Sequence, residues 1–66
     1  MQYDSIGTRL RAHRTARQLS LSQLARRSGV GLHQIHKYER EDHEPTVRVL
    51  KRLAEALDTD LDALVP

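Results

Sequence analysis

The chain has no cysteine, no phenylalanine and no tryptophan. Without thiols there are no disulfide staples and no cysteine zinc site, which agrees with a reducing cytoplasm. Without large aromatics other than tyrosine, the core has to be built from Leu, Val, Ile and Ala. No apolar run approaches the length of a signal peptide or a membrane span, so a cytoplasmic protein with no membrane partner is expected. The chain also lacks a Gly-x-Ser-x-Gly turn, a phosphate-loop glycine pattern and paired carboxylates set for acid–base work. Together with the little volume a chain of this size has for a closed substrate cavity, this makes an enzyme an unlooked-for outcome. No strand pattern, internal repeat or low-complexity segment is present.

The 66 residues make one small domain, which buries only about 60% of its unfolded surface. The net charge of +2 hides an asymmetry. Before Gly31 there are six arginines against the single acid Asp4, and from Gly31 onward eight acids against five basic residues. The first half is therefore the more suited to face an anion.

The stretch Ser20 to Arg40 organises the rest. Ser20 is a good N-cap, and Leu21, Leu24 and Ala25 follow at helical spacing. Gly29 ends that helix, because glycine takes the left-handed C-terminal conformation cheaply. Val30 can plug the gap between two crossed helices. In the next helix Ile35, Tyr38 and Glu39 share one side, while His33, His36, Lys37 and Arg40 share the other. That outward side carries no acid, and each of its residues can donate a hydrogen bond. Such a helix, held off the body by a turn, suits a DNA major groove.

Around this motif the spacing predicts helices at about 5–17, 21–28, 32–40, 47–57 and 61–65, in one domain over 1–66. Met1 to Asp4 forms a frayed start, and Asp4 or Ser5 caps the first helix. Ile6, Leu10, His13 and Arg17 define one face of it, with His13 half-buried and Arg9, Arg11, Arg14 and Arg17 supplying charge mostly to the solvated sides. Arg14, a cation near the inward face, needs a partner. Glu39 is the only acid on the inward side of the 32–40 helix, so an Arg14–Glu39 ion pair is expected. Glu41 to Glu44 is an acidic loop closed by Pro45. Thr46 caps a helix striped with Val47, Leu50, Leu53, Ala54 and Leu57. Asp58 and Thr59 break it, and Asp60 caps a last short helix carrying Leu61 and Leu64.

Several pieces now form a pattern: I-G-x-x-L-R at Ile6 to Arg11 with Arg14, L-S-x-x-Q-L-A at Leu19 to Ala25, S-G-V at Ser28 to Val30, and I-x-K-Y-E-R at Ile35 to Arg40. P-T-x-x-x-L-x-x-L-A-E-A-L at Pro45 to Leu57 and L-D-A-L at Leu61 to Leu64 complete it. In order and spacing the chain resembles the phage-repressor and Cro type of helix-turn-helix domain, the XRE family. The resemblance implies an all-α, compact five-helix, lambda-repressor-like domain. It also implies a transcriptional regulator that binds a roughly palindromic operator in double-stranded DNA as a homodimer; from the residues themselves no cofactor or metal is expected. The resemblance places base contacts at Leu32, His33 and Lys37, with Gln34 facing a base or the backbone. It matches Arg48 to an arginine that lies against phosphate or in the minor groove, and Arg14 and Glu39 to a pair that joins helices in several relatives.

Side-chain chemistry supports most of these roles. Lys37 and His33 can donate to guanine acceptors, Gln34 can pair with adenine, and Leu32 can pack on a thymine methyl. The free amides at Ser20, Leu21 and Ser22 can hold a phosphate, aided by the Ser22 hydroxyl and the Gln23 amide. His36 and Arg40 add donors along the backbone. The chain also departs from the pattern. Leu21 stands where many relatives have glutamine. The acids after Arg40 stand where many have glycine and then basic residues, and Gly31 replaces a Ser or Thr cap. The acidic loop is the best support for a competing reading, a protein-interaction module, antitoxin-like or a regulatory partner, on the same fold. His33 and His36 are spaced to chelate a metal but have no third fixed ligand. Val65 is the residue hardest to bury within one chain and the expected dimer contact. A partner domain C-terminal to Pro66 in a longer chain also fits.

Overall fold

The computed structural model describes residues 4–66; the expectation for the first three residues lies outside them. It contains α1 (Ile6–Ala16), α2 (Leu21–Ser28), α3 (Leu32–Glu39), α4 (Val47–Ala56) and α5 (Leu61–Leu64), and no strand among the described residues. Four of the five helices start on a side-chain cap. Ser5 Oγ accepts from the Thr8 amide at 3.1 Å, Ser20 Oγ from Gln23 at 3.0 Å, Thr46 Oγ1 from Val49 at 3.2 Å and Asp60 Oδ1 from Ala63 at 3.2 Å. At Ser20 the bond is reciprocated, because its own amide donates to Gln23 Oε1 at 2.8 Å. Gly31 caps α3 without any side-chain bond.

The helices are slightly shorter than their spacing suggests. Ser5 is a cap rather than the first helical residue, and Arg17, Arg40, Leu57 and Val65 are C-caps that lie just outside their helices. Three of the ends share one geometry. Gln18, Glu41 and Asp58 adopt positive φ of 56°, 64° and 55°. In each case the next amide reaches back five residues: Leu19 to Arg14 O at 3.1 Å, Asp42 to Lys37 O at 2.9 Å and Thr59 to Ala54 O at 2.9 Å. This is the Schellman closure that normally uses glycine. The left-handed glycine, Gly29 at φ 73°, closes α2 by the simpler bond of its own amide to the Ala25 carbonyl at 2.9 Å.

The core is aliphatic, as the missing aromatics require. Leu10, Leu24, Ile35, Leu53, Leu57 and Leu64 are fully buried, and Tyr38 is the one aromatic among them at 7% exposure. α1 packs on α3 and α5, and α2 packs on α3 and α4. The inward face of α1 follows its apolar spacing at Ile6, Leu10 and the half-buried His13, and departs from it at Arg17. Gly7 and Leu10 are buried and Arg14 points in, whereas Arg17 is exposed. A Cβ at Gly7 would run into the Tyr38 carbonyl, so only glycine lets α1 cross the last turn of α3 this closely. Two turns further along α1, Arg14 reaches Glu39 of α3.

Candidate nucleic-acid interface

α3 is fixed from below by three side chains. Ile35 is fully buried, Tyr38 nearly so, and Glu39 is held by Arg14. Arg14 Nε donates to Glu39 Oε2 at 2.7 Å and Nη2 to Oε1 at 2.9 Å, while Nη1 donates to the Leu19 carbonyl at 2.7 Å. The hydrogen bond to Glu39 raises the Arg14 guanidinium above the usual arginine range; burial opposes this and the carboxylate charge adds to it. One residue thus ties α1 to α3 and to the segment that leads into α2. Val30, 8% exposed, fills the α2–α3 turn.

With these residues turned inward, His33, Gln34, His36, Lys37 and Arg40 are exposed, and Leu32 is half-buried. Beside them α2 presents its open end. Ser20 and Gln23 satisfy each other's amides, which leaves those of Leu21 and Ser22 facing outward at the positive end of the helix. The Leu21 side chain packs against the core, so only its amide is on offer to an anion. Gln23 keeps its NH2 group free while its carbonyl oxygen is engaged in the cap. Arg48 is exposed in the first turn of α4, alongside Lys51 and Arg52.

Arg9 is placed otherwise than a solvated-face reading expects, whereas Arg11 is exposed as that reading has it. Arg9 is a structural clamp. It donates to both Asp4 carboxylate oxygens at 2.9 and 2.8 Å and to the Val65 carbonyl at 3.0 Å, joining the two ends of the chain. The hydrogen bond from Arg9 holds the Asp4 carboxyl below its usual range. Arg11 lines a cleft between α1, α2 and α3 together with Leu21, His36 and Arg40, which makes it part of the cationic surface. Its position three residues before Arg14 was the available signal, since both then flank the α1–α3 seam.

The acidic loop divides. Glu41, His43 and Glu44 line a crevice with Ser5, Ile6 and Pro45, beside the start of α1 rather than along the outward face of α3. Asp42 alone turns back, with its Oδ2 at 3.5 Å from Arg40 Nε. Among the described residues no group of three or more His, Asp or Glu is placed to hold a metal ion, and no helix is long and apolar enough to cross a membrane.

The helix-turn-helix family HTH_3 matches residues 10–64. An HTH_3 family transcriptional regulator from Vibrio cholerae superposes with a TM-score of 0.89 at 30% identity, over 92% of this chain and 34% of its own. This chain therefore spans about a third of that protein. The restriction-modification controller protein C.AhdI from Aeromonas hydrophila is 36% identical with a TM-score of 0.87, covering 89% of each chain. The P22 c2 repressor, in a complex with synthetic operator 9T, is 30% identical with a TM-score of 0.87 over 96% of each chain. No curated protein sequence matches the chain.

Proposed function

The chain belongs to the helix-turn-helix family HTH_3, and from that membership we propose that it is a sequence-specific, double-stranded-DNA-binding transcriptional regulator acting in the cytoplasm. The observation that carries the reading is the outward face of α3. His33, Gln34 and Lys37 stand exposed with no acid among them, on a helix locked at one angle by Ile35, Tyr38 and the Arg14–Glu39 pair. α3 enters the major groove, where Lys37 and His33 donate to guanine acceptors, Gln34 reads adenine and Leu32 lies against a thymine methyl. The open end of α2 at Ser20, Leu21 and Ser22, with Gln23, takes one backbone phosphate. Arg11, His36 and Arg40 flank it, and Arg48 takes another. Two copies bind a two-fold operator. The P22 c2 repressor, bound to a synthetic operator in its own structure, supports this reading by likeness.

A binding-site selection on random duplexes at two salt concentrations tests it. The expected result is one enriched half-site, with affinity falling steeply as salt rises. Lys37→Ala should cost about 1–3 kcal/mol and relax the preference at one base position. No enriched site, together with millimolar affinity at low salt, would overturn the reading. That outcome would favour the second one, a protein-interaction module, for which the exposed acids at Glu41, Asp42 and Glu44 speak.

A further inference from the structure

The end of α3 is built against local preference. Glu41 sits at φ 64°, where a side chain is disfavoured and glycine is the usual choice. Two acids follow the C-terminus of a helix, the end whose partial negative charge favours cations. The closure nevertheless forms, and the bond from the Asp42 amide to the Lys37 carbonyl at 2.9 Å fixes where Asp42 stands. From there its carboxylate lies 3.5 Å from Arg40 Nε, with the two side chains 50% and 63% exposed. Arg40 also lines the cleft shared by Arg11, His36 and the start of α2, the groove in which a backbone phosphate would lie.

We propose that Asp42 is an internal competitor for the backbone phosphate at Arg40, so that generic duplex is held less tightly than the count of cations on this face allows. The inference rests on the DNA-binding reading and adds a regulator to the same surface. Arg40 exchanges one anion for another on binding. The Asp42 carboxylate is released beside the duplex, where it is repelled. A duplex whose bases fit α3 overcomes this, while one that offers only phosphates does not. Because the side-chain pair is exposed, its loss leaves the backbone closure and the core in place.

The experiment uses a random-sequence duplex at about 50 mM and 200 mM salt and four proteins: the parent, Asp42→Asn, Arg40→Gln and the double variant. Circular dichroism checks that all four are folded. Asp42→Asn should tighten binding at low salt by about two- to fivefold, the scale of an exposed ion pair. In the Arg40→Gln background the same change should give a clearly smaller gain, the part that remains being direct repulsion of the Asp42 carboxylate by the duplex. An equal gain in both backgrounds would mean a general charge effect and overturn the inference, as would no gain in either. If the parent binds and Asp42→Asn merely equals it, this inference alone fails. If parent and variant both ignore duplex DNA, the DNA-binding reading falls and takes the inference with it.

Discussion

Each of the three guanidinium nitrogens of Arg14 donates to Glu39 or to the Leu19 carbonyl, which commits three of its five N–H groups. The pair is 13% and 5% exposed at its side chains, so it sits in a medium where an unpaired charge is expensive. Arg14→Ala strands the Glu39 carboxylate and the Leu19 carbonyl together. The expected loss is about 3 kcal/mol, the low end for breaking a buried pair because Arg14 keeps some exposure. Against a stability of about 5–15 kcal/mol that is a large step in a urea melt. Replacing both partners with apolar residues, Arg14→Met with Glu39→Leu, should cost clearly less, because no lone charge remains. A single variant as stable as the parent would mean the bonds hold nothing. This pair was legible in the sequence because a lone inward cation and a lone inward acid leave little choice. Arg9 was not. Its partners are Asp4 and a main-chain carbonyl at Val65, and a backbone acceptor at the far end of the chain leaves no mark in residue type.

At the scale of the helix, starts and stops differ in how openly they are written. Ser5, Ser20, Thr46 and Asp60 advertise their roles, because a short oxygen-bearing side chain before an apolar repeat has one obvious use. The stops are written less openly: Asp58 with Thr59 reads as a helix breaker, but Gln18 and Glu41 carry no such sign, and all three take a left-handed conformation that a side chain opposes. At the first of them tertiary packing decides the turn. The residue after Gln18 is the buried Leu19, and burying it fixes the turn. Gly7 was visible as part of a family pattern, yet its reason, the approach of the Tyr38 carbonyl, lies 31 positions away along the chain. The strain gives a test. Asp58 lies in the α4–α5 corner with Glu55, Thr59 and Asp60, apart from α3. Asp58→Gly relieves its φ at the cost of a freer unfolded chain, and should stabilise the fold by about 0.5–1 kcal/mol. A gain of that size raises the melting temperature by roughly 2–8 °C in a domain this small. A melting temperature that stays put or falls would show that the turn stores no strain.

For the molecule as a whole, counting charge by halves does not locate the donor-rich surface, whose residues come from both halves. Two of the six arginines before Gly31 are bound internally, Arg9 to Asp4 and Arg14 to Glu39. The donor-rich face is assembled from Arg11, His36, Lys37 and Arg40, drawn from both halves by the α1–α3 crossing. Its scale bears on the proposed homodimer. One protomer measures 32 × 23 × 22 Å, while half-sites one helical turn apart are separated by about 34–36 Å. Two bodies of this size bound to such half-sites on one face of a duplex would come close to each other at the two-fold axis. Val65, 41% exposed beyond α5, is the side chain proposed for that contact, and its carbonyl is already anchored by Arg9. Val65→Glu keeps this backbone bond and sets two like charges against each other across the two-fold axis. Binding to a full two-fold operator should weaken by about five- to thirtyfold, equivalent to 1–2 kcal/mol. Binding to a single half-site should stay as it was. Equal losses on both duplexes would place Val65 in the protomer's own stability, and no loss on either would move the dimer contact elsewhere on the surface.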